Sequence, residues 1–161
     1  MMIIITKEIE SMLEIYTDGS TRNNGMNGSS GGWGYIVVVD GHLDCYDSGT
    51  AAPTTNQKME LTAAIKACKF ICPTLNSGFT HVTIYSDSAY LINCYRQKWW
   101  RNWERNGWKN SKNEPVANRK LWEELIPYFK NANITFTKVP GHSGVYYNEM
   151  VDRLAKGDYI L

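Results

Sequence analysis

Four carboxylates, Asp18, Glu60, Asp87 and Asp152, are spread across a chain of 161 residues, each where a strand or helix begins, ends or packs. Asp18 follows Tyr16-Thr17 and precedes Gly19-Ser20. Glu60 follows Asn56-Gln57-Lys58-Met59. Asp87 sits in Ser86-Asp87-Ser88, and Asp152 in Asn148-Glu149-Met150-Val151-Asp152. If the fold gathers them, their mutual repulsion makes ionisation costly unless cations fill the pocket. Hard oxygen ligands suit divalent metals, and a metal in an acidic pocket suits phosphoryl transfer. Each acid also has a plainer reading. Asp18-Gly19 is a common turn pair, and Asp87 can cap a helix. Glu60 suits the positive end of a helix, and Asp152 can be a solvated helix residue. The combination carries the argument.

The elements that must position these acids follow from periodicity. Met12 to Thr17 alternates as a strand, with Leu13, Ile15 and Thr17 on one face and Glu14, Tyr16 and Asp18 on the other. Residues 23–32 are rich in Gly, Asn and Ser and form a loop. Trp33 to Val39 and Leu43 to Ser48 read as two strands joined by a tight Asp40-Gly41 turn. Leu61, Ile65, Cys68 and Cys72 mark a helix face, capped by Thr55 or Asn56 and stopped by Pro73. A strand at His81 to Ser86, a helix at Tyr90 to Arg96 and another at Leu121 to Phe129 follow; Pro127 should kink or end the last. Ile134 to Val139 is the fifth strand and Tyr146 to Lys156 the closing helix. The order predicts an α/β (mixed α+β) domain: a five-stranded mixed sheet with helices on both faces. In such a sheet the first and fourth strands are neighbours. Asp18 and Asp87 then share the carboxyl-end edge, where open sheets build their sites. Residues 1–11 read as a short extension and residues 12–161 as one domain.

Bulk composition narrows the classes. Hydrophobic residues make up 43% and charged residues 20%, which describes a globular domain with a core. No stretch approaches a membrane span, and the N-terminus lacks the pattern of a signal peptide. The four cysteines have no CxxC spacing, which points to a reduced, intracellular setting, in the cytoplasm or in a eukaryotic nucleus or organelle. The net charge of +1 hides an asymmetry. Residues 95–120 hold eight Lys or Arg against two Glu, so the remainder is net acidic. One region is suited to grip a polyanion, the other to hold metal.

These stretches together resemble the type-I ribonuclease H family from about Leu13 to Ala155. The resemblance rests on Tyr-Thr-Asp-Gly-Ser at 16–20, Thr-Asn-Gln-Lys-Met-Glu-Leu at 55–61, Ser-Asp-Ser at 86–88 and Asn-Gly-Trp-Lys at 106–109. Val-Pro-Gly-His-Ser-Gly at 139–144 completes it, followed by Asn148, Glu149 and Asp152. It implies a ribonuclease H-like fold and an endonuclease that cuts the RNA strand of RNA–DNA hybrids, leaving 3′-hydroxyl and 5′-phosphate ends. It implies two Mg²⁺ ions, with Mn²⁺ as substitute, held by Asp18, Glu60, Asp87 and Asp152. Asp18 and Asp87 would lie nearest the scissile phosphate. Glu60 would position one metal and touch RNA hydroxyls, and Asp152 would hold the metal nearest the attacking water. His142, ten residues before Asp152, matches a loop histidine that assists proton transfer or product release. Trp99, Arg101, Trp103, Arg105 and Lys109 match a basic protrusion that grips the DNA strand. Ser20, Asn24, Asn56 and Gln57 match positions that read RNA 2′-hydroxyls. Thr55 and Asn118 match a DNA phosphate pocket.

The chain also departs from that family. Pro53 stands where an Arg is frequent beside the phosphate pocket, and Glu104 replaces a common Lys in the protrusion. Both predict weaker hybrid binding. The partner implied is a hybrid, with no membrane, and the working form a free-standing monomer. Two other readings stay open at this point. One is a non-catalytic hybrid-binding module, which would need a broken acidic quartet. The other is a nuclease of the same fold acting on branched DNA, such as a junction resolvase or transposase core.

Overall fold

The computed structural model describes residues 12–22, 28–72, 81–139 and 146–158. They form β1 (Leu13–Arg22), β2 (Ser30–Val39), β3 (His42–Ala51), α1 (Asn56–Ile71), β4 (Val82–Ser86), α2 (Ala89–Gln97), α3 (Trp100–Asn106), α4 (Arg119–Phe129), β5 (Ile134–Lys138) and α5 (Tyr146–Ala155). The sheet order is β3-β2-β1-β4-β5. β1, β2 and β3 are antiparallel neighbours, whereas β4 and β5 join in parallel, as strands separated by helices must. The expected mixed sheet is thus present, with β1 beside β4.

The alternation along each strand sorts side chains into two layers. Leu13, Ile15, Tyr35, Val37, Ile84 and Phe136 face a large core closed by the stripes of α1, α2 and α4 and by Trp100 of α3. Tyr16, Ile36 and Val38 face the other way, against Val151 and Leu154 of α5. Helices therefore cover both faces, and among the described residues α5 is the helix on the second. The β2–β3 turn places Asp40 and Gly41 at φ 50° and 83°, the positive pair a two-residue hairpin needs.

Three expectations change. Asp18 does not end its strand: β1 runs on to Arg22, because β2 continues to pair with it beyond the last β1–β4 pair, Tyr16 with Tyr85. Pro127 does not end α4, which continues to Phe129. Its missing N–H costs one bond in the last turn, to the carbonyl of the exposed Glu123, where water can substitute. Cys68 is in the core, but Cys72 is the exposed C-cap of α1, beyond the last turn that the core contacts.

Candidate active site

Each acid is brought to the sheet edge by a separate local device. Asp18 lies on β1 on the side of α5 and is 6% exposed. Glu60 lies in the first turns of α1, whose N-cap Thr55 accepts the Lys58 N–H at 3.1 Å. That helix can reach β1 only because residue 19 is glycine. A Cβ there would stand 2.3 Å from the Met59 carbonyl carbon and 2.4 Å from the Glu60 nitrogen. Asp87 follows the end of β4. The capping of α2 falls to Ser88, which accepts the Leu91 N–H at 3.1 Å, and the Ser88 N–H in turn donates to Ser86 Oγ. The Asp87 carboxylate is thereby left out of the cap, contrary to its plainer sequence reading. Asp152 rides α5, and Lys156 Nζ donates to its Oδ2 at 3.0 Å.

The electrostatics follow from that gathering. Burial first, then the Asp87 charge, then a hydrogen bond with Asp152 push the Asp18 carboxyl up to about 8. Glu60 is also raised, by burial and by the Asp87 charge, while the Ser88 hydroxyl pulls it the other way. The Lys156 ammonium is raised by its bond to Asp152 and, more weakly, by Asp18. The acids are neighbours rather than a closed cage. Among the described residues, no three of His, Cys, Asp or Glu converge as the ligands of one cation would. The donor chemistry nevertheless fits a hard divalent ion: carboxylate oxygens, one of them buried beside two further acids.

The predicted nucleic-acid residues divide into three groups. Ser20 lies two residues past Asp18 on β1, and Asn56 and Gln57 are exposed at the start of α1. The Asn56 amide oxygen accepts from the Thr21 hydroxyl, which fixes it against β1. Asn118 takes a left-handed conformation (φ 60°) at the N-cap of α4, and its side chain makes no capping bond. Its Nδ2 instead donates to Tyr90 Oη at 3.3 Å, and the same oxygen accepts from the buried Trp122 Nε1 at 3.0 Å. Arg101, Arg105 and Lys109 are exposed along α3 and the turn after it. Trp99 and Trp103 are half-buried: they pack edge to face at 6.2 Å, and Trp103 packs on Trp108 and the core Trp122. Their free edges, with Asn102, Arg105, Asn106 and Lys109, line a groove of about 560 Å³. Glu104 turns away to pair with Lys130 at 3.0 Å. His142 and Asn24 lie outside the described residues.

Sequence reasoning passed over Tyr90, Arg22 and Lys156, and weighed Ser88 only for its backbone, beside Gly19, as a reader of RNA 2′-hydroxyls. Only Ser88 had a usable signal, since Ser before a helix is a strong N-cap. Tyr90 and Lys156 acquire their partners, and Arg22 its place in a cavity wall, only through the fold.

An acidic sheet edge and, elsewhere on the same domain, a basic, aromatic-lined groove suit a protein that handles a polyanion. Comparison with known proteins gives the same direction. The RNase H family model matches residues 10–159, and the chain belongs to that family. It is 46% identical to a ribonuclease H of Syntrophomonas wolfei, over 88% of this chain and 92% of that one. It is 41% identical to a ribonuclease H of Symbiobacterium thermophilum, over 88% and 90%. Among solved structures it resembles a foamy viral protease-reverse transcriptase in complex with double-stranded DNA, with TM-score 0.74, 26% identity, and 92% and 94% of the two chains covered. It also resembles a type 1 RNase H with the type 2 active-site motif, with TM-score 0.68, 26% identity, and 92% and 74% covered.

Proposed function

We propose that this chain is an endonuclease that hydrolyses the RNA strand of RNA–DNA hybrids, leaving 3′-hydroxyl and 5′-phosphate ends. The observation that carries the reading is Asp18, buried beside Asp87 and Asp152 at a sheet edge and raised to about 8. A carboxyl so placed is held for a cation. Asp18, Glu60, Asp87 and Asp152 would hold two divalent cations, Mg²⁺ by preference for hard oxygens and Mn²⁺ as substitute. The chemistry such cations supply when bound is activation of the attacking water and stabilisation of the leaving 3′-oxygen.

The chain's own residues do the rest. Ser88 orients the Glu60 carboxylate through its hydroxyl while capping α2. Ser20, Asn56 and Gln57 border the acids from β1 and α1, where they meet 2′-hydroxyls in a wide minor groove. Thr55 spends its oxygen on the Lys58 N–H and keeps its hydroxyl proton to donate to a phosphate; Asn118, held by Tyr90, is assigned the same pocket. Arg101, Arg105 and Lys109 bind the DNA strand through its charge, with the edges of Trp99 and Trp103 beside them. His142 is assigned an assisting role in proton transfer or product release.

A monomeric working form and an intracellular setting belong to the same proposal; four free thiols suit a reducing compartment. No helix among the described residues is long and apolar enough to cross a membrane. The test incubates the protein with labelled hybrid, RNA duplex and DNA duplex in Mg²⁺. Cleavage of the RNA strand in the hybrid alone, abolished by EDTA, is expected. Equal cutting of all three, cutting that survives EDTA, or preference for branched DNA would overturn the reading.

A further inference from the structure

Beside the acids a second cavity, of about 660 Å³, opens between the far end of β1, the start of β2, the end of β3 and the last turn of α5. Its polar lining is cationic and hydroxylic: Arg22, Lys156, Ser20, Ser30 and Thr50. Among the described residues no acid lines it. Its floor is bare backbone. Gly32 lies where a Cβ would stand 2.2 Å from the Ala155 carbonyl oxygen, so only glycine lets the end of α5 settle there.

The cavity is tied to the acidic edge by two parallel rows. Asp18, Ser20 and Arg22 alternate along β1, so their side chains leave the same face, and Arg22 stands about 13 Å beyond Asp18 at about 3.3 Å per residue. Asp152 and Lys156 are one turn apart on α5 and its end. Strand and helix thus both run from acid to base in the same direction. Lys156 spends part of its charge on Asp152. Arg22 forms no ion pair with a described residue, so its guanidinium fork is available to phosphate oxygens, with hydroxyl donors around it.

Resting on the activity proposed above, we propose that this cavity is a phosphate subsite for the strand that is cut. It holds a phosphodiester flanking the scissile one, gripped by Arg22 and the hydroxyls of Ser30 and Thr50, with Ser20 and Lys156 at the border with the acids. A polyanion crossing a cation-filled acidic site then meets fixed positive charge at its next phosphates. Arg22 thereby orients the strand from about 13 Å beyond Asp18, outside the reacting centre.

The test combines Arg22→Gln with hybrids whose RNA carries a single neutral methylphosphonate linkage, walked one to three linkages to either side of the preferred cut. In the unaltered protein, one flanking position should raise KM about tenfold and leave kcat within about twofold. Arg22→Gln should raise KM on the unmodified hybrid by a similar factor and lower its salt slope by about one. It should then be insensitive to that linkage, and Arg22→Lys should recover most of the loss. Arg22 is exposed, and unchanged thermal unfolding of both variants excludes a folding defect. A KM unchanged by Arg22→Gln, two effects that multiply rather than merge, or a fall in kcat alone would overturn the subsite. If the unaltered protein cuts no hybrid at all, the activity itself falls, and the subsite with it.

Discussion

The backbone nitrogen of Glu60 lies where a Cβ on Gly19 would come within 2.4 Å of it. Strand and helix touch backbone to backbone, and nothing at the contact can flex aside. Gly19→Ala must therefore push α1 off β1 or distort both. We expect a loss of about 1–3 kcal/mol, as for other overpacked sites. In a chain of this size that is a fall in Tm of roughly 2–12 °C. Hybrid cleavage should drop further than the stability loss explains, since Glu60 moves with the helix. A variant with unchanged Tm and kcat would show that the contact is softer than the geometry states.

Asp18 predicts a pH effect whose sign can be worked out. Its ordinary value is 3.8 and its value in the fold about 8. A raised acid lends no penalty below pH 4, where folded and unfolded forms are both protonated. Between pH 4 and 8 the unfolded chain ionises first, so the metal-free protein loses stability as the pH climbs. Asp18→Asn removes that loss. In EDTA the variant should unfold at higher temperature than the parent at pH 8, by at least about 1 kcal/mol, and differ little at pH 4. It should have no hybrid cleavage in Mg²⁺. Parallel Tm-against-pH curves for parent and variant would contradict the burial argument.

Glu104 and Lys130 offer a test of affinity uncoupled from stability. Their pair is 3.0 Å apart, and both side chains are about half exposed, so it is worth no more than about 1 kcal/mol. Glu104→Lys should change Tm only slightly. It replaces a negative by a positive charge on α3, the helix that carries Arg101 and Arg105, so KM for hybrid should fall several-fold at low salt and the salt slope should steepen. A KM independent of this change would remove the basic segment from the substrate path.

Tyr90→Phe is expected to act in two ways at once. The Trp122 indole N–H is fully buried and loses its acceptor, which costs about 1–3 kcal/mol. Asn118 loses the hydroxyl that holds its amide, so KM for hybrid should rise while kcat stays close to that of the parent. Thermal unfolding and steady-state kinetics on one preparation separate the two effects. A lowered kcat at constant KM would mean that Tyr90 acts on Asp87 through α2 instead.

The parts of this architecture legible in the sequence were those written in local periodicity. Leu13 and Ile15 against Tyr16, the Asp40-Gly41 turn and the Leu61–Ile65–Cys68 stripe each encode a face or a reversal within a few residues. The meeting of Asp18 with Asp87 followed from strand order, since helical crossovers favour parallel neighbours. The full length of β1 was not legible, because Gly19 to Arg22 is held in a strand by its pairing with Ser30 to Trp33 rather than by its own pattern. Arg22 and Lys156 stayed hidden for the same reason: they are far apart in the chain and meet only where the end of α5 settles on β2. The indoles of Trp99 and Trp103 read as surface or as core equally well, and the fold uses each of them as both.

The overrun of β1 past its pairing with β4 has a mechanical meaning. Asp18 and Arg22 belong to one stretch of hydrogen-bonded ribbon, stiffened by β2, so the interval between them is fixed by backbone pitch rather than by side-chain reach. The strand works as a ruler laid along the polymer, with the cut at one graduation and the grip at another. Inserting or deleting a single residue within that arm would turn Arg22 to the opposite face and erase the far mark.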